Sequence, residues 1–257
     1  MRQVRLDART LLAGDAVSPD RYLRLRLVEQ RAGELAGFVA PGGGDHVRVI
    51  VGTPDGGDVA LDESGAPLGE SRTETVVDHD VEQGWIDLDV LVHAQAGGEL
   101  GELGELGVIG VMGAWAARAP LGSPAVITGP KGSVVLTGAP GEVILAGDDS
   151  ALPAVRRYLR MLGPDVTGHL VLETHFDLAA LGIEPPAGMR VSILSPDRDR
   201  PSAAIVHALE ALAAPADPLE RFVFACGEQS IVAPVRALLA AWGVDVERAV
   251  VKGYWKR

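Results

Sequence analysis

Four short segments of this chain combine residue types that can hold an anion or stack on a flat ring. The first is Gly147-Asp148-Asp149-Ser150-Ala151-Leu152-Pro153, directly after an apolar run. Asp149 or Ser150 can cap a helix there, and small residues leave backbone N–H groups open to an anion. An ordinary strand-to-helix turn explains the same residues. The second is Cys226-Gly227-Glu228-Gln229-Ser230, again between an apolar run and a helical pattern. A Glu at a helix start is favoured by the dipole whatever its role, and Cys226 reads as a small buried residue. The third, Gly129-Pro130-Lys131-Gly132-Ser133, reads as a tight turn before a strand. The fourth is the closing Gly253-Tyr254-Trp255-Lys256-Arg257. Trp255 can stack on a flat ring, and Lys256 and Arg257 can attract an anionic ligand. The plainer alternative is a Trp that only packs the last strand down. The six His residues are scattered without ligand spacing, so no metal site is expected, and His93 reads as the end of a strand. G-x-G-x-x-G, P-loop, HExxH and G-x-S-x-G patterns do not occur.

The elements that must position these segments differ between the two halves. From about Tyr22 to Leu136, short Val-, Ile- and Thr-rich stretches alternate with turn residues. Arg24-Leu25-Arg26-Leu27, His46 to Val51 and Ile86 to Val92 keep a period of two, which predicts an antiparallel sheet or small barrel. Met112 to Arg118 reads as a short helix. From about Glu142 onward, strands alternate with helices. Strands are expected around Val143–Ala146, His169–Glu173, Val191–Leu194, Phe222–Ala225 and Ala249–Val251. Helices are expected at Leu152–Leu162, the first of them amphipathic, at Ala203–Leu212 and at Glu228–Trp242. That rhythm predicts a parallel sheet covered on both faces. Residues Gly98 to Gly107 spell GELGELGELG, whose glycines disfavour a regular element and predict a surface loop.

Composition narrows the function classes. Apolar residues make up 47% of 257, enough for a sizeable core. A formal net charge of -12 argues against nucleic acid and anionic membrane as partners. One Cys excludes an internal disulfide, and no stretch has the length of a membrane span. A cytoplasmic protein without membrane insertion is expected; the oligomeric state is left open.

Taken in order, these segments resemble the siderophore-interacting protein family. The match runs through Asp45-His46-Val47-Arg48-Val49, Ile86 to His93, Ala114-Trp115-Ala116, Gly129 to Ser133, Gly147 to Ala154, Gly227-Glu228 and Gly253 to Arg257. The resemblance implies a ferredoxin-reductase-like architecture: an FAD-binding antiparallel β-barrel over residues 1–140, then a doubly wound α/β domain for NAD(P)H over 141–257. It implies an oxidoreductase in which NAD(P)H reduces FAD and the electrons release Fe(II) from a ferric siderophore. Arg72, Thr73, Thr75, His93, Gly113, Ala114 and Trp115 would hold FAD. Asp148, Asp149, Ser150, Gly227 and Glu228 would face the nicotinamide cofactor, Trp255 would flank the ring, and Lys256 and Arg257 would meet the siderophore. The chain departs from the family's Arg-x-Tyr-Thr-x-Arg flavin motif, which here reads Arg72-Thr73-Glu74-Thr75-Val76-Val77. Glu replaces the ring-stacking Tyr, and Val replaces the second phosphate-binding Arg. The family's Gly-Pro-Ala-Ser is likewise altered, to Val111-Met112-Gly113-Ala114. Two rival readings follow: a binding or regulatory module with weakened flavin binding, and a flavin reductase with another acceptor.

Overall fold

The computed structural model describes residues 1–14, 19–93, 110–132, 135–136 and 140–257. The GEL repeat at 98–107 lies outside the described residues. The chain divides into two compact units, one of Met1–Pro41 with Asp45–Gly132, the other of Gly42–Gly44 with Ser133–Arg257.

The first unit is a closed antiparallel barrel. Its strands are β1 (Arg2–Gly14), β2 (Arg21–Glu29), β3 (His46–Val51), β4 (Ser71–Asp80), β5 (Trp85–Val92) and β6 (Pro124–Lys131), in the order β1-β2-β5-β4-β3-β6 with β6 closing on β1. The alternation along β2 shows why it forms. Leu23, Leu25 and Leu27 are fully buried in the core, each contributing roughly 1.5–3 kcal/mol of hydrophobic stabilisation. Arg24 and Arg26 stand directly opposite Asp89 and Asp87 of β5 and bind them through paired bonds of 2.7–2.9 Å. The Arg26 guanidinium also lies 3.9 Å from the Trp85 ring centroid. Helix α1 (Val111–Arg118) buries Trp115 and Ala116 in the same core, and Arg9 of β1 donates to its last carbonyls at Ala116 and Ala119.

One element went unread in the sequence pattern and one expectation is corrected. Arg2–Gly14 forms a 13-residue strand that the sequence pattern hides, because irregularities at Leu6/Ala8 and Leu11/Ala13 break its period of two. Gly129-Pro130-Lys131 is the end of β6, not a turn leading into a strand. A bulge opposite His46 and Arg48 lets the proline sit there without a ladder bond.

The second unit is a parallel five-stranded sheet among the described residues. Its strands are β7 (Glu142–Asp148), β8 (Thr167–Glu173), β9 (Met189–Leu194), β10 (Arg221–Glu228) and β11 (Ala249–Trp255), ordered β11-β10-β7-β8-β9. Helices α2 (Leu152–Met161), α3 (Ala203–Glu210) and α4 (Val232–Trp242) connect them. Both faces are covered. Ile144, Ala146, Val223 and Ala225 pack with Ile205, Leu209, Val235 and Leu239 of α3 and α4. On the other face, Tyr158 of α2 meets Phe222 and Phe224 at 5.3 and 5.1 Å between ring centroids. Strand β10, an interior strand between β11 and β7, is buried at every residue, as its apolar run Phe222 to Cys226 between two neighbours should be.

Three details differ from the sequence pattern. Helix α2 is not half-exposed: Leu152 to Leu159 are all buried, Arg156 and Arg157 included. Arg156 donates to the Leu181 carbonyl at 3.4 Å, and Gly43 packs so closely that a Cβ there would meet the Tyr158 ring at 2.6 Å. Helix α4 begins at Val232, after a 3-10 turn at Gln229–Ile231. Strand β11 continues through the aromatic pair to Trp255, so Gly253-Tyr254-Trp255 is ladder and not a loose tail.

Candidate functional site

In the α/β unit the expected segments converge at the carboxyl ends of β7, β10 and β11. Asp148 ends β7 and is the organising group. Its Oδ1 accepts from the Ser150 N–H at 2.9 Å and the Ser150 hydroxyl at 2.5 Å. Its Oδ2 accepts from the Glu228 N–H at 3.0 Å and the Trp255 indole N–H at 2.8 Å. Asp148, and not Asp149 or Ser150, therefore caps the turn, and Asp149 opens the 3-10 turn that leads into α2. Burial holds the Asp148 carboxyl above its ordinary value, and the bonds from Ser150, Trp255 and Glu228 offset only part of that rise. A carboxylate with four donors is affordable in a buried position because each donor offsets part of the desolvation cost.

Glu228 repeats the device at the end of β10. Its Oε2 accepts from the Ser230 N–H at 2.6 Å, and its Oε1 from the Arg257 N–H at 3.3 Å. The bonds from Ser230 hold its carboxyl below the ordinary range. Gly227 permits this packing, since a Cβ there would sit 2.8 Å from Asp148 Oδ2 and 3.2 Å from the Ser202 hydroxyl. Trp255 is 43% exposed, so its ring is anchored by one edge with much of its surface open. Lys256 is exposed, and Arg257 donates to the Asp199 carbonyl at 2.8 Å. Cys226 is fully buried and burial pushes its thiol up to about 12, the inert residue expected of it.

Residues that the sequence reading passed over complete this edge. Glu173 closes β8 beside Asp148 in register and is 3% exposed. Ser202, 1% exposed, precedes α3. The signal for Glu173 was present, as an acidic residue ending the second strand of a strand–helix–strand unit. Ser202 carried no signal, because a loop brings it to Gly227 across the sheet.

In the barrel the expected flavin-binding residues are more dispersed. Arg72 and Thr73 are exposed on β4, and Thr75 is buried opposite His46. Arg72 donates to Glu70 at 2.8 Å. Glu74 lies opposite Val47 and on the same side of β4 as Val76, the side that faces the core. It is half-buried, and burial pushes it from 4.5 up to about 8, with the Arg72 charge opposing. At neutral pH it is therefore mostly a neutral acid, which removes the electrostatic conflict that a carboxylate at this position implied. Val77 is buried. His93 is mostly exposed, with Nδ1 3.3 Å from Asp20 Oδ2. Gly113 and Ala114 lie in the first turns of α1, whose N-terminus at Gly110 has no side-chain cap and no acidic residue in its first turn. Trp115 is inside the barrel core, with its indole N–H buried and unpartnered among the described residues. Its ring packs the helix down and offers no exposed stacking face.

Known proteins bear on both units. A family model described as the siderophore-interacting FAD-binding domain matches residues 15–134, and one described as siderophore-interacting protein matches residues 140–257. An uncharacterized protein of Mycobacterium tuberculosis is 30% identical over 198 residues, 72% of this chain; the match spans only 65% of that relative's length. The ferric vibriobactin reductase ViuB of Vibrio cholerae is 25% identical over 237 residues, 87% of this chain and 81% of that protein. A siderophore utilization protein from T. fusca superposes with a TM-score of 0.73 at 25% identity, over 100% of this chain and 92% of that one. The ferredoxin-NADP+ reductase of Plasmodium falciparum shares the fold alone, at a TM-score of 0.65 and 11% identity over 98% and 95% of the two chains. Among the described residues no helix is long and apolar enough to cross a membrane.

Proposed function

Because the chain belongs to the siderophore-interacting protein family, we propose that it is an NAD(P)H-dependent oxidoreductase that uses FAD to reduce a ferric siderophore and release Fe(II). The observation that carries this reading is the Asp148 network. It holds the turn after β7, the turn after β10 and the Trp255 ring together at the carboxyl edge of a parallel sheet, where doubly wound folds take dinucleotides.

Flavin suits such a reaction because it accepts two electrons together and returns them one at a time. In the barrel, the N-terminus of α1, which has no side-chain cap among the described residues, would turn backbone N–H groups toward a phosphate of that group. Arg72 would supply a guanidinium and Thr75 a hydroxyl, as the family motif implies, while neutral Glu74 would add no repulsion. In the α/β unit Asp148 fixes the two turns, Gly227 lets Asp148 and Ser202 pack against its backbone, and Trp255 presents a ring edge-anchored beside them. Lys256 and Arg257 would favour an anionic siderophore close to that edge.

A second reading, a binding module without working flavin, is favoured by one observation: Arg72 is already engaged by Glu70. The visible absorption spectrum separates the two. A flavin band that appears with added FAD and bleaches under NADH or NADPH supports the oxidoreductase. A protein that stays colourless in excess FAD would sink it.

A further inference from the structure

Arg9 stands on the core side of its strand, where a charge is costly. In β1, Val4 and Leu6 are buried, so an unbroken period of two would turn Ala8 inward and leave Arg9 facing water. The irregularity between Leu6 and Ala8 reverses that order, with Asp7 as the extra residue. Arg9 then pairs with Leu25 of β2, which is fully buried in the barrel core, and residues directly opposite in a ladder share a face. Burial lowers the pKa of the guanidinium, so a charge kept there costs free energy that an outward arginine does not meet.

What Arg9 meets there is the C-terminal end of α1. It donates through Nε to the Ala116 carbonyl and through Nη2 to the Ala119 carbonyl, each at 2.5 Å, from 107 and 110 residues away in sequence. Both alanines are fully buried. The last carbonyls of a helix lack donors from the helix itself, and the chain that follows does not supply them. The residue four after Ala116 is Pro120, which has no N–H. The Ser123 N–H, four after Ala119, goes to the Pro120 carbonyl at 3.1 Å. Arg9 fills both places, and its charge suits the negative end of the helix dipole.

Helix α1 is eight residues long, about 12 Å from end to end, with Trp115 held in the barrel core. A rod that short, fixed at its last carbonyls and by one buried ring, has its first N–H groups fixed as well. Resting on the flavin reading above, and on the FAD-binding family match that spans α1, we propose that Arg9 is a positioning residue for flavin. It holds the C-terminal end of α1 so that the N–H groups at the other end stay in place for a flavin phosphate. Without the clamp two buried carbonyls lose a charged donor, and the helix is free to turn about Trp115. A phosphate then loses directional N–H bonds, while the flavin ring loses nothing directly.

The test compares a flavin that carries phosphate with one that lacks it. FAD and riboflavin are titrated into the flavin-free full chain and followed by the change in flavin fluorescence, for the unmodified protein, Arg9→Met and Arg9→Lys. Thermal melting is recorded for each. Arg9→Met is expected to weaken FAD about tenfold and to leave riboflavin within about twofold. Arg9→Lys keeps the charge without the planar fork, so its FAD affinity is expected to lie between the other two. Where riboflavin binds none of the three, the phosphates carry the affinity and the FAD loss alone decides. Unchanged FAD affinity in Arg9→Met, or an equal loss for FAD and riboflavin, overturns the proposal and leaves the flavin reading standing. Should Arg9→Met not fold, a loss of FAD affinity in Arg9→Lys supports the proposal and full affinity overturns it. No FAD binding by the unmodified protein overturns the flavin reading itself.

Discussion

The two units use buried charge in opposite ways. On the barrel, Arg24 and Arg26 of β2 reach across one strand spacing to Asp89 and Asp87, and each pair is closed on itself by two bonds. In the α/β unit the buried carboxylates of Asp148, Glu173 and Glu228 accept chiefly from backbone N–H groups at strand ends. The first arrangement locks strand to strand and is complete without a ligand. The second arranges loops and leaves oxygens of Glu173 and Ser202 without partners among the described residues. The barrel's paired charges thus belong to the scaffold, while those of the α/β unit order the strand-end turns where we propose that a dinucleotide binds.

That comparison can be broken at several points. The largest effect is expected from Asp148→Ala, which leaves four donors without their acceptor. Denaturation by urea should show a loss of about 2–4 kcal/mol, together with loss of dinucleotide binding. Unchanged dinucleotide affinity would mean that the network is scaffold after all. Arg26→Ala should cost about 1–2 kcal/mol, since it strips the partner from nearly buried Asp87 and removes the contact with Trp85, though Arg26 itself is 39% exposed. Dinucleotide binding should be untouched; a parallel drop in both would blur the division between the units.

Glu74 gives a pH signature. Its folded-state value of about 8 lies above 4.5, so the native protein binds more protons than the unfolded chain between those limits. Stability should therefore fall as pH rises from about 4.5 to 8, and Glu74→Gln should flatten that slope and raise Tm above pH 7. An identical pH profile for the variant would show that Glu74 titrates normally. The smallest effect is expected at Cys226, which should resist alkylation by iodoacetamide at pH 8 in the folded state and react only on unfolding.

Much of the fold was legible because its signals are local. The apolar runs of β7 and β10 and the alternation of β2, β3 and β5 lie within single windows of the sequence. Strand β1 was hidden by its two irregularities, and the end of β6 by a proline that reads as a turn. The site was half legible. Gly147 to Pro153, Gly227-Glu228 and Trp255 were each visible as segments. That Trp255 reaches Asp148, 107 residues away, was not, because the contact follows from the order in which parallel strands assemble. The same holds for Ser202 beside Gly227. Glu74 misled for another reason: residue type announces a charge, and only burial shows that the charge is mostly absent at neutral pH.

The reaction we propose passes reducing equivalents from a nicotinamide donor to siderophore-bound iron. Its most direct test is capture of Fe(II) by a ferrous chelator during incubation of the FAD-saturated protein with a ferric siderophore and NADH under anaerobic conditions. Chelator colour should require protein, FAD and donor together and should disappear in Asp148→Ala. Donor oxidation that proceeds with simple dyes while no Fe(II) appears from any ferric siderophore would contradict it.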